Sequence, residues 1–388
     1  MRRLCMLISL ACLFPGTTLL AQDADPLNPL IRRLIESEVP EAERGDLQFD
    51  FLYWWLDKLH VPPLVTTGPP GSQAIFGQPG TEVLRGNGDL VSRHQRYIGG
   101  RIGGDWWLER DSPFGINGSI TLLERDSSNI TYDPHTITPL ARPYLDATDG
   151  QWHSFIVAGS SPQFGELSGS VNVYSRIEFF EEDANAMMRL AEGDRFRLNL
   201  LAGAHFIQMR ERLDLTGTSR ILPDETTLIG VTDHFHTYNK FFGGQLGLNG
   251  CWQRGAWSLE GKGVLSLGGD FQEIRAFGDR VFHSPEGRTT ENFGLYVLPG
   301  NRGSFQRGIV DFVTEWGLTL GWSLSSRFKL RFGYTLLTWS RPVRPGDQIV
   351  PIDLTQIAGQ GSETRPNVPF RTSFFWAQGL NFGLETRW

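Results

Sequence analysis

The sequence predicts an all-β protein, an antiparallel up-and-down transmembrane β-barrel of about ten strands (10–12) with long outer loops and short periplasmic turns. Three observations predict it. Segment after segment alternates apolar and polar residues at period two, over lengths well beyond the ~5–6 residues usual in soluble sheets. The connections between these segments sort into long and short. The last segment sets Leu380, Phe382, Leu384 and Trp388 on one face against Asn381, Glu385 and Arg387 on the other. A barrel-closing C-terminal strand needs this: an apolar face for lipid, a polar face for the lumen and an aromatic at the interface.

Composition narrows the alternatives. Of 388 residues, 40% are hydrophobic and 20% charged, too polar for a bundle of membrane helices. Beyond the N-terminus no run of ~20 apolar residues occurs, so no transmembrane helix is expected. Glycine (45), tryptophan (12) and phenylalanine (26) are plentiful, which suits close-packed strands and aromatic girdles. The formal charge of −7 offers no basic footprint, and no nucleic-acid partner is expected. No cofactor and no metal are expected either.

Arg2 and Arg3, the apolar run 4–14 and the small Ala21 read as a secretory signal peptide over residues 1–21. Its removal leaves Cys251 as the one cysteine, so no intrachain disulfide is expected. Residues 22–46, with Pro26, Pro29 and Pro40 among apolar positions, read as an N-terminal periplasmic arm. Residues 47–388 remain for the barrel.

The first strand is expected over residues 48–57, where Phe49, Phe51, Tyr53 and Trp55 alternate. A long Pro/Gly-rich connection, 58–92, follows. Residues 97–108 set Ile98, Ile102, Trp106 and Leu108 against Arg101 and Asp105. After a short turn, residues 114–124 set Phe114, Ile116, Ile120 and Leu122 against Asn117, Ser119 and Thr121. The connection 125–165 shows little pattern. In residues 167–180, Val171, Val173, Ile177 and Phe179 alternate with Asn172, Tyr174, Arg176 and Glu178. An acidic segment separates them from residues 195–213, which begin with Phe196, Leu198 and Leu200 outward and Arg197 and Asn199 inward.

Residues 238–252 set Phe242, Leu246, Leu248 and Trp252 against Gln245 and Asn249. A tight turn leads to residues 256–274, with Trp257, Leu259, Leu265 and Leu267 against Glu260, Lys262 and Ser266. Residues 309–324 alternate Val310, Phe312, Trp316, Leu318, Leu320 and Trp322 with Asp311, Glu315 and Thr319. Residues 327–339 alternate Phe328, Leu330, Phe332, Tyr334 and Leu336 with Arg327, Lys329, Arg331 and Thr335. A Pro-rich connection, 341–372, returns to the final strand.

At about ten strands the lumen is narrow and inward side chains fill much of it. The residues expected to line it carry both signs: Arg101, Arg176, Arg197, Lys262, Lys329 and Arg331 against Asp105, Glu178, Glu260, Glu315 and Glu385. Mixed charges either brace the wall as pairs or line a small aqueous path.

Several segments carry a resemblance. They are the start Phe51–Trp55 (FLYWW), Leu201–Leu213 (LAGAHFIQMRERL), Asp233–Gly247 (DHFHTYNKFFGGQLG), Gly333–Ser340 (GYTLLTWS), Arg344–Gln348 (RPGDQ) and Phe375–Glu385 (FWAQGLNFGLE). Taken together, the sequence resembles the BBP7 family (β-barrel porin-7) of planctomycete outer-membrane proteins, across nearly all of the mature chain. The resemblance implies a cell outer-membrane barrel with porin activity in a Gram-negative-type bacterium. It supplies no catalytic residues.

One further cluster invites a chemical reading. Asp233, His234 and His236 precede a strand on the expected outer side, and Asp with His could activate a water or hold a metal. The two histidines share a strand face, but no third partner is evident, and His205 reads as a lumen residue. Three functions are therefore weighed. The first is a porin for passive diffusion of small solutes. The second is a closed barrel serving as a surface scaffold or binding protein through its long loops. The third is a rim hydrolase, and the expectation is no enzyme. Expected partners are outer-membrane lipid and, through the C-terminal strand, the barrel-assembly machinery.

Overall fold

The computed structural model describes residues 44–90, 96–109, 112–133, 137–223, 225–355 and 368–388. The expected signal peptide (1–21) and most of the arm (22–46) lie outside them. Long two-faced segments form ten strands: β1 (Asp46–Leu56), β2 (Tyr97–Trp107), β3 (Phe114–Leu123), β4 (Gly165–Gly193), β5 (Phe196–Ile221), β6 (Leu228–Arg254), β7 (Trp257–Ser284), β8 (Gly303–Ser323), β9 (Phe328–Trp339) and β10 (Phe375–Arg387). Each pairs antiparallel with its neighbour in sequence. The ring closes where β1 meets β10, from Asp46 opposite Arg387 to Leu56 opposite Ala377. This is the expected antiparallel up-and-down barrel. No helix among the described residues is long and apolar enough to cross a membrane.

Period-two alternation places side chains on opposite faces of the wall. Outside lies an apolar belt, in which Leu246, Leu265 and Trp316 are 64%, 56% and 58% exposed. At the end carrying the short turns, tryptophans ring this belt. Trp257 stacks with Trp322 at 5.9 Å and Trp106 lies 6.0 Å from Trp388. Glycines let neighbouring strands approach. A Cβ on Gly379 of β10 would lie 2.4 Å from both Trp54 Cδ1 and the Tyr53 carbonyl of β1, at the seam.

Two expectations need correction. Short strands from the long connections, read from the sequence as unpatterned, extend off the ten-stranded ring and bring its sheet to sixteen strands in all. They include Asp126–Tyr132, which pairs with β4 beyond the end of β3, together with Leu140–Leu145, Trp152–Ser161 and Gly287–Glu291. The described parts of the connections 58–92 and 125–165 are thus folded, in pieces too short for alternation to reveal.

Strands β4 to β7 run 26 to 29 residues, far longer than their readable patterns. A tilted strand needs only ~9–11 residues to cross a bilayer. The remainder rises beyond the belt as a tall half-wall, and there the polarity code inverts. Outside lipid the outer face meets water, so apolar side chains turn inward onto a core. Val171, Val173, Leu213, Leu215, Val231 and Phe235 are buried there with Leu295, Val297 and Leu298 of the β7–β8 connection.

Candidate functional site

The barrel interior has three layers, set by which inward side chains each strand supplies. The layer nearest the short turns is polar. Arg101 of β2 faces Glu315 of β8 at 3.3 Å and Glu181 of β4 at 3.6 Å. Lys262 of β7 pairs with Glu315 at 2.8 Å and Asp183 at 3.6 Å. His205 lies 3.2 Å from Glu181 and 2.8 Å from Ser266. A second group joins Lys329 and Arg331 of β9 to Glu260 of β7 and Glu385 of β10, with Arg331 to Glu385 at 2.6 Å. Asp50 and Arg387 attach to it at 3.7 and 2.6 Å.

Asp105 accepts a bond from Asn117 at 2.6 Å, and Arg197 lines the same cavity of about 150 Å³. The charges are of both signs and mostly consumed by one another, so they brace the wall more than they set a field along an ion path. Removing one member of such a buried pair strands its partner, which is costly.

Arg176 and Glu178 do not belong to this group. They sit beyond the membrane belt on β4, where the code has inverted. Ile177 and Phe179 are buried inside, while Arg176 and Glu178 pair with each other on the outer face, a quarter exposed, and Arg125 joins Glu178 at 2.6 Å. Of the C-terminal strand, Leu380, Phe382 and Leu384 stand on the outer face, Phe382 5.2 Å from Phe332, and Trp388 is half exposed.

Glu181 and Asp183 also belong to the polar layer, although alternation places them in an acidic connection and does not mark them as inward. Asp50 is likewise absent from the residues expected to line the lumen, although its place between Phe49 and Phe51 marks it as inward.

Above the polar layer lies an apolar septum. Leu52, Trp54, Phe179, Ile207, Met209, Phe241, Leu337, Trp339 and Phe375 are each at most 3% exposed. Every ring strand except β7 contributes to this cluster. Phe179 stacks on Phe375 at 6.1 Å, and Phe241 meets Trp339 edge-on at 6.3 Å. Each buried indole reaches a polar partner, as such rings do. Trp54 donates to Asn381 at 2.8 Å and Trp339 to Asp311 at 3.1 Å.

The third layer is a plug built from the long connections, held by two buried ion pairs. Arg344 of the β9–β10 connection donates to Glu211 of β5 at 2.7 Å, to Asp57 at 2.9 Å and to the Lys58 carbonyl at 2.8 Å. Next to it, the Asn239 side chain of β6 bonds both the backbone N–H and C=O of Val343, each at 2.8 Å. Asp233 of β6 meets Arg142 at 2.5 Å and accepts the backbone N–H groups of Leu295, Tyr296 and Val297 at 3.1, 2.9 and 2.8 Å.

Asp233 therefore points inward, away from His234 and His236, and the Asp–His–His arrangement weighed from the sequence as a hydrolytic alternative does not form. The carboxylate near those histidines is Asp214 of β5. Burial alone would raise its pKa. Hydrogen bonds from His234 and His236 and the Arg212 charge outweigh burial and hold it well below the carboxylate range. A further cavity of about 300 Å³ opens where the wall is short, between Trp55 and Trp376 on one side and Arg344 and Glu211 on the other.

Residues 47–388 match the family model described as "Putative beta barrel porin-7 (BBP7)". No curated protein matches the sequence. Solved structures similar to it include the outer-membrane protease OmpT of Escherichia coli, with TM-score 0.38, 11% identity, and coverage of 91% of this chain and 100% of that one. A Pseudomonas aeruginosa FadL homologue gives 0.27 and 8%, covering 89% and 90%, and the CymD monoaromatic hydrocarbon channel 0.20 and 9%, covering 89% of each chain. Likeness at that level carries no argument about activity.

Proposed function

This chain belongs to the BBP7 family of outer-membrane β-barrel porins, and from that premise we propose that it is a plugged barrel whose capped outer half is its working surface. The observation that carries the reading is the apolar septum. Among the described residues, side chains from nine of the ten ring strands meet across the lumen and are buried, and this dry layer supports a lumen closed to polar solutes. The folded outer connections and the rim cavity by Trp55 and Trp376 support a scaffold or small-ligand role. Cavities near this size are at the lower end of ligand pockets, ~300–1,000 Å³.

The passive-porin reading draws its support from the family's description and from the charge-lined cavity below the septum. It requires the plug and septum to move aside. A non-enzymatic role is supported by Asp233, whose oxygens are fully engaged by Arg142 and three backbone N–H groups. The outer face of β10, ending on Trp388, is the segment we assign to lipid contact and to recognition by the barrel-assembly machinery.

Solute efflux from proteoliposomes separates the first two readings. Wild-type protein is expected to retain a trapped small sugar, and Trp54→Ala combined with Phe375→Ala to release it. Wild-type efflux as fast as the septum variant's would favour the porin.

A further inference from the structure

On the outer wall beyond the apolar belt, three metal-ligating side chains converge from two adjacent strands. Asp214 of β5 stands opposite His234 of β6 in the ladder, and Arg212 opposite His236. Two residues apart on one strand, the histidines share a face, with ring centres 6.0 Å apart. His234 Nδ1 lies 2.7 Å and His236 Nε2 3.2 Å from the same atom, Asp214 Oδ1. One ligand atom from each of the three falls within 4.8 Å of the other two. The second carboxylate oxygen accepts the Arg212 Nε–H at 2.5 Å, which orients the carboxylate and leaves Oδ1 to the histidines.

The ladder around the cluster is unbroken from Phe196–Trp252 to Arg220–Leu228, so the ligands stand on a rigid element. The site also faces water. On the same face of β6 the apolar belt begins at Phe242, which His236 overlooks from ~20 Å along the strand at ~3.3 Å per residue. The side chains of Asp214, His234 and His236 are 10%, 30% and 24% exposed.

Two imidazoles and one carboxylate form a donor set for zinc-class ions, and three protein ligands leave a coordination position open. We propose that Asp214, His234 and His236 hold one divalent transition-metal ion of the zinc class on the outside of the wall, with a remaining position open to solvent. A second trio, Asp146, Asp149 and His153, is of similar composition but is already employed in a turn. Asp146 accepts from the Thr148 N–H and hydroxyl at 2.8 and 2.6 Å, and Asp149 from the Gln151 N–H at 2.7 Å.

The test is calorimetric titration of zinc sulfate into metal-stripped, folded protein in detergent. One saturable site is expected, retained by His153→Ala and weakened at least about tenfold by His234→Ala or His236→Ala. Boiling-dependent gel migration checks that each variant is folded, and His236→Gln replaces the alanine variant if that one does not fold. The proposal is overturned if the wild type shows no saturable uptake. It is equally overturned if uptake is unchanged in the folded His234→Ala and His236→Ala variants, or is lost only with His153→Ala.

Discussion

Arg344 sits at 2% exposure among Glu211, Asp57 and the Lys58 carbonyl, and it ties the β9–β10 connection to the wall. Arg344→Ala leaves Glu211 buried without its partner, a change expected to cost about 3–5 kcal/mol. Denaturant unfolding should show the loss, and proteolysis should cut the 340–374 connection first. Glu211→Gln added to Arg344→Met should recover part of it, since the stranded charge is then gone.

Tyr296 makes a pH prediction. Its buried hydroxyl donates to the Pro143 carbonyl at 2.8 Å, and burial pushes its pKa up to about 12. A group raised in the folded state stabilises fully below its unfolded value, ~10, and loses that contribution as pH climbs through the folded value. The plug should therefore weaken between about pH 10 and 12, by up to ~3 kcal/mol, and Tyr296→Phe should remove that step from an alkaline stability profile. Asp214 illustrates what a single residue hides. Nothing in its local pattern links it to His234, because their meeting depends on the β5–β6 register.

At the scale of the strand, legibility followed the solvent. Every ring strand except β4 is readable where lipid lies outside and water inside, because alternation there is long and of one sense; the belt-level stretch of β4, which pairs Phe180–Met188 with β3, reads instead as an acidic segment. On β4 the same alternation continues with its sense reversed, and Arg176 and Glu178 were assigned to the wrong face for that reason. Periodicity reports that two faces differ. It does not report which one meets the core, and that depends on the medium outside.

The belt supplies the matching prediction. Leu246→Arg on the outer face of β6 should cost about 2–4 kcal/mol if placed near the bilayer midplane. Thr216→Arg, on the outer face of β5 beyond the belt, should change stability by less than about 0.5 kcal/mol. Refolding into vesicles at graded urea measures both. At the seam, Gly379→Ala forces a Cβ onto Trp54 and the Tyr53 carbonyl, so β1 and β10 must part. A lower fraction of the closed, fast-migrating form on unboiled gels is the expected outcome.

At the scale of the molecule, a low ring of membrane wall carries a taller half-cylinder, and the connections fold into its concave side. The membrane-level interior was legible as charges of both signs, since inward positions follow from outward aromatics. The septum was not. Its residues come from nine strands and share no segment of sequence, and each alone reads as an ordinary member of an alternating strand. The plug was equally hidden, although two of its anchors, Asp233 and Arg344, lie in the segments that carry the family resemblance. They hold loops inside the barrel instead of performing chemistry at its rim.

Ionic current through single wild-type molecules in a planar bilayer bears most directly on whether that dry layer seals the lumen. With the intact chain inserted, the current should stay at baseline, and discrete steps should emerge once Trp54, Trp339 and Phe375 are all cut back to alanine. Steady steps from the unaltered protein, unchanged by those truncations, would contradict a sealed interior.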